Sequence, residues 1–113
     1  MNSVVLVGRL VKDPELNHGK DNDKAYTRCT IAVDRKYKNL NGERETDFIP
    51  VVFYGRTAEV VCEYLSKGKM VCINGRIRVE SYTDKDGIRR NSTNIDVDHF
   101  QFVDSSERKE KIV

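Results

Sequence analysis

The residues of this chain whose types and spacing could do chemistry are rings set among cations. Arg35, Lys36, Lys38 and Arg44 flank an Asn41-Gly42 pair, with Tyr37 among them. Arg76 and Arg78 alternate along one run, Tyr82 follows in the same parity, and Arg89 and Arg90 come just after Asp86-Gly87. Phe48 and Tyr54 share a parity in a third run. Single-stranded nucleic acid exposes phosphates and unstacked base faces, so a surface that binds it needs cations along a track and flat rings beside it. A base on an aromatic ring is worth about 1–3 kcal/mol. Phosphate contacts add affinity that falls with salt and carries no sequence information. Singly, each residue has an ordinary reading: a solvated cation, or for Phe48 a core ring. Their joint placement points to binding.

Other chemistries find little support. Hydrolysis or group transfer would want a positioned nucleophile and base, a metal cluster or a phosphate-cradling glycine loop. The one candidate group, Asp96, Asp98 and His99, reads as a solvated edge, because alternation sends both carboxylates to the wet side of a strand. The expectation is therefore no enzyme and no catalytic residue. His18 and His99 lie far apart and have no ligand-like spacing, so no metal or cofactor is expected. Cys29, Cys62 and Cys72 form no CxxC pair and are odd in number; they read as three buried thiols in a reducing cytoplasm. No signal-like apolar stretch opens the chain, and no apolar run approaches the roughly 18 residues of a membrane span.

The elements that must position the rings and cations are short strands. With 113 residues, 38% apolar and 34% charged, the chain has room for one domain. Its net charge of +2 is too small to announce a nucleic-acid partner, so placement has to carry that argument. Acidic residues are expected elsewhere: at Asp13 and Glu15, at Asp21 and Asp23, and at Asp96 and Asp98. From Met70 to Tyr82 the period is two, with Val71, Ile73, Gly75, Ile77 and Val79 inward and Arg76, Arg78, Glu80 and Tyr82 outward. Ala25 to Asp34 repeats the pattern, with Cys29, Ile31 and Val33 inward and Tyr26, Arg28 and Thr30 outward. Phe48 to Tyr54 and Val4 to Leu10 are apolar on both faces; for the latter the expected second cover is another subunit. From Ser92 to Phe102 the parity changes between Val97 and Phe100, which predicts a bulge near Asp98 or His99.

Asn41-Gly42 and Asp86-Gly87 mark hairpin tips, and Asn17 to Lys24 reads as a polar loop. The one helix is expected over Thr57 to Ser66, capped by Thr57, with Glu59 in its first turn and Gly68 ending it. Its apolar face is Ala58, Val61, Cys62 and Leu65. Five strands with a helix between the third and fourth is the order of the OB-fold, a mainly all-β, five-stranded Greek-key barrel that binds oligonucleotides. The expected domain covers residues 1–103. Residues 104–113, DSSERKEKIV, are expected to be a short, disordered polar tail.

Three segments then resemble the bacterial single-stranded DNA-binding protein family: MNSVVLVGRLVKDPEL, TDFIPVVFYGRTAEVVCEYLSKGKMVCINGRI, and SYTDKDGIRRNSTNIDV. The resemblance covers about residues 1–102 without large gaps. It implies an OB-fold subunit, usually in a homotetramer with a dimer as alternative, that coats single-stranded DNA in replication, recombination and repair. Phe48 and Tyr54 fall on family stacking positions in the third strand, Tyr37 on the aromatic position of the preceding hairpin, and Tyr82 on that at the end of the fourth strand. Family members often use tryptophan at several of these sites; this chain has none. Asn91 stands where some members carry another ring. Many members continue into a flexible tail with an acidic tip that recruits partners. The ending RKEKIV is basic, so for a full-length chain no tail-mediated recruitment is expected. Two alternatives stay open: RNA as the ligand, since neither stacking nor phosphate contact distinguishes the sugars, and a protein-interaction module of the same layout.

Overall fold

A computed structural model of the chain describes residues 1–19 and 24–103. Asp21, Asp23 and the tail at 104–113 lie outside the described residues. The elements run β1 (Val4–Leu10), β2 (Asn17–His18), β3 (Ala25–Lys38), β4 (Arg44–Tyr54), α1 (Gly55–Tyr64), β5 (Met70–Thr83) and β6 (Arg89–Phe102). One sheet has the order β1-β5-β6-β4-β3-β2, and a further pairing of β1 with β3 closes five of these strands into a barrel. Closure rests on Arg9 opposite Ala32 and Leu10 opposite Ile31. With the helix between the third and fourth barrel strands, this is the OB-fold. Part of the segment expected as a polar loop instead pairs, since Asn17 and His18 add a short rung to β3.

Alternation builds the core. Leu10, Ile31, Val51, Phe53, Val71, Ile73, Ile95 and Val97 fill the barrel, and Ala58, Val61 and Leu65 of α1 plug one end. β5 departs from the expected pattern beyond Gly75. Ile77 and Val79 share the inward parity, yet both are exposed, because the β5–β6 ribbon runs past the barrel and has no opposite wall there. All three cysteines are half-buried rather than buried, because they sit beside the core rather than in it. Burial still pushes the Cys29 and Cys62 thiols up.

β6 carries the expected bulge. Val97 faces Gly75 and His99 faces Asn74, so Asp98 has no opposite number and the parity flips there. At this point two backbones come very close: a Cβ on Gly75 would stand 2.2 Å from the Asp96 carbonyl oxygen. Only glycine permits that approach.

The helix starts two residues earlier than expected and Thr57 does not cap it. Tyr54 occupies the N-cap position in extended geometry with no side-chain cap bond. The turn out of β4 is made by Gly55 at φ 60°, so the chain enters the helix before a capping hydroxyl is reached. The helix also ends earlier, at Tyr64; Leu65 is already extended and buried.

Candidate nucleic-acid interface

The outer face of β3, β4, β6 and β5 collects the expected rings and cations. Pairing sets Tyr26 opposite Tyr54, Arg28 opposite Val52 and Ala32 opposite Phe48. The parallel β4–β6 pairing then sets Val52 beside Asp96, and the antiparallel β5–β6 pairing sets Asp96 beside Arg76. Phe48 is 66% exposed on this face, although Val51 and Phe53, further along the same strand and facing the core, are fully buried. Tyr37 is 76% exposed towards the first hairpin tip, with the Lys36 ammonium 5.6 Å from its ring centre. Tyr82 is 50% exposed on the far ribbon, opposite Arg90. A ring left this open while apolar neighbours are covered is available for stacking.

Tyr54 differs from the other three. It is half-buried, and its hydroxyl donates to Asp96 Oδ1 at 3.1 Å and accepts from Arg78 Nη2 at 2.8 Å. Burial, and then the Asp96 charge, push its phenol up. It therefore stays protonated and able to donate.

Asp96 and Asp98, expected to lie apart from the cations, stand among them instead. Arg76 pairs with Asp98 at 3.2 Å, and Arg78 Nε lies 2.7 Å from Asp96 Oδ2 while its fork also meets Glu80. Arg35 grips Glu45 at 2.5 Å and Asp47 at 3.0 Å, and Arg90 meets Asp84 at 2.5 Å. The register of β5 against β6 forces the first two pairs, since it brings outward acids beside outward arginines. Asp96 is thus no solvated edge: its side chain is only 16% exposed. The Arg35 fork holds the Asp47 carboxyl below the usual carboxylate range. Lys36, Lys38, Arg44 and Arg89 form no ion pair among the described residues; Arg44 instead donates to the carbonyl oxygens of Arg35 and Lys36.

Two features escaped the reading of the residues. Tyr26 and Arg28, on the outward parity of β3, form a cation–π pair at 5.9 Å beside Tyr54; their parity was visible, but nothing local set them apart from a solvated strand. The hairpin tips also share one architecture. Asn39 Oδ1 accepts from the amides of Asn41 and Glu43, and Asp84 Oδ1 accepts from those of Asp86 and Ile88, with Gly42 and Gly87 both at φ 79°. The N-x-x-G and D-x-x-G spacings were the available signal. Asn91, where no ring stands, has its side-chain oxygen bonded by Ser81 at 2.8 Å.

Among the described residues no group of three or more His, Cys, Asp or Glu could hold a metal ion, and no helix is long and apolar enough to cross a membrane. A closed OB barrel with open rings and cations along one outer face defines a class, that of oligonucleotide-binding modules. Within that class the chain belongs to the single-strand binding protein family, whose model matches residues 1–103. That family is one of binding proteins, not enzymes. Over 104 residues the chain is 47% identical to single-stranded DNA-binding protein 3 of Clostridium acetobutylicum, covering 92% of this chain and 72% of that one. A Clostridium tetani single-stranded DNA-binding protein is likewise 47% identical over 104 residues, with 92% and 71% covered. Single-stranded DNA-binding protein 1 of C. acetobutylicum is 40% identical over 105 residues, which cover 93% of this chain and 96% of that relative.

Proposed function

We propose that this protein binds and coats single-stranded DNA without sequence preference, in the service of replication, recombination and repair. The observation that supports this best is the outer face itself: open rings and cations on neighbouring strands of a chain from a single-strand binding family. Tyr37, Phe48, Tyr54 and Tyr82 are the stacking residues of this reading. Lys36, Lys38, Arg44 and Arg89 supply phosphate contacts directly; at Arg35, Arg76, Arg78 and Arg90 a phosphate has to displace a carboxylate. Such a surface binds by stacking and charge, and neither term discriminates among bases.

The binding unit in this reading is a homo-oligomer, a tetramer with a dimer as the smaller alternative, working in the cytoplasm at the nucleoid. The outer side of β1 supports this, since Val5 is 63% and Val7 47% exposed there. Anisotropy of labelled oligo-dT at two salt concentrations tests the function: tight binding at low salt that weakens at high salt is expected. No binding at low salt ends the proposal. Competition with oligo-U decides whether the sugar matters.

A further inference from the structure

We infer that Asp96 is a positioning residue of this interface, orienting the Tyr54 ring and holding Arg78 away from phosphate. This rests on the single-stranded DNA reading and deepens it. Asp96 sits on β6 between a parallel and an antiparallel neighbour, beside Val52 of β4 and Arg76 of β5. From there one carboxylate joins three strands. Oδ1 takes the Tyr54 hydroxyl at 3.1 Å, Oδ2 lies 2.7 Å from Arg78 Nε, and Arg78 Nη2 closes the triangle on the Tyr54 oxygen at 2.8 Å. A ring held at its hydroxyl from two sides keeps one orientation, so its stacking face is set before a base arrives.

The same triangle neutralises Arg78. Two carboxylates, Asp96 and Glu80, face that one guanidinium. To reach Arg78, a phosphate would have to expel a carboxylate that is mostly out of water and leave it unpaired, which is unfavourable. Arg76 is in a different position. It has one carboxylate, Asp98, at 3.2 Å, and both partners are far more exposed, at 61% and 37%. The middle of the face is therefore a neutral platform for bases. Phosphate contacts fall to Arg76 and to the flanking cations.

The salt dependence of oligo-dT binding separates this from a merely structural role, because packing defects change affinity but not counterion release. Each phosphate neutralised on a single strand contributes a slope of about 0.7 in log K against log salt. Asp96→Asn keeps an oxygen for the Tyr54 hydroxyl and removes the shielded carboxylate. This variant leaves Arg78 with Glu80 alone, a part-exposed partner that a phosphate can displace as it can Asp98 from Arg76. Its slope should steepen by about 0.7, roughly a fivefold greater loss per tenfold rise in salt. Arg78→Gln should weaken binding several-fold through Tyr54 yet keep the wild-type slope. The double variant, which removes both members of the Asp96–Arg78 pair and leaves only the part-exposed Glu80 carboxylate without its partner, should also keep that slope, and it carries the test if a single variant loses its circular-dichroism spectrum. A flatter slope in Arg78→Gln or in the double variant, or an unchanged slope in Asp96→Asn, overturns the inference while wild-type binding stands. Wild-type protein that fails to bind oligo-dT overturns the functional reading, and this inference with it.

Discussion

At the scale of single residues, the open rings and the turn acids carry separate expectations. Phe48→Ala removes a ring that is largely exposed on the outer face and outside the core, so the fold should persist. Binding should fall by about 1–3 kcal/mol, equally on oligo-dT, oligo-dC and mixed sequence. Tyr82→Ala should behave alike, and a loss confined to one sequence in titrations would count against stacking. Asp84 belongs to stability instead. The Arg90 hydrogen bond, then the Ile88 and Asp86 amides, hold its carboxyl below the usual carboxylate range. A carboxyl lowered in the folded state adds stability above its unfolded value of about 3.9 and loses that contribution as pH falls through the folded value. The turn should therefore loosen below about pH 4. NMR shifts of the Asp86 and Ile88 amides would report it by moving with a midpoint below the usual carboxylate range, and a midpoint at or above that range would contradict the account.

At the scale of elements, the β5–β6 ribbon does most to shape the face. Its register brings arginine to carboxylate, and its bulge at Asp98 lets Phe100 return to the core side, where its ring meets Phe53 edge-on at 5.8 Å. Both depend on the close approach at Gly75. Gly75→Ala would press a methyl into the Asp96 carbonyl, and overpacking of this kind costs about 1–3 kcal/mol or more. A melting temperature lower by about 4–8 °C per kcal/mol is expected by calorimetry. An unchanged melting temperature would show that the ribbon can yield there. The helix teaches a related lesson. Its existence and its apolar face were legible from Ala58, Val61 and Leu65, whereas its start was not. Thr57 has the chemistry of a cap, but the turn at Gly55 had already begun the helix, and a local rule cannot register where the preceding strand releases the chain.

At the scale of the molecule, one barrel covers only one side of β1. Val4, Leu6 and Leu10 pack inward while Val5 and Val7 face out. If a second copy covers them, replacing both with lysine should lower the sedimentation coefficient towards that of a monomer and leave the circular-dichroism spectrum unchanged. A wild-type chain that remains monomeric at high concentration would remove the oligomer from the proposal. Joint presentation of several faces would matter because the rings this chain can offer for stacking are phenylalanine and tyrosine, with no tryptophan. Linked weak contacts gain affinity through effective concentration.

The sequence by itself determined the barrel, the hairpin tips, the bulge and the set of rings and cations offered to a ligand. Those follow from alternation and turn chemistry, which act between residues a few positions apart. Only the tertiary structure decided which cations remain open and which are already held. That outcome depends on β6 lying parallel to β4 and antiparallel to β5, a register set by packing across the whole barrel. Arg76 and Arg78 look alike in sequence, but the strand beside them brings one carboxylate to the first and the Asp96 triangle to the second.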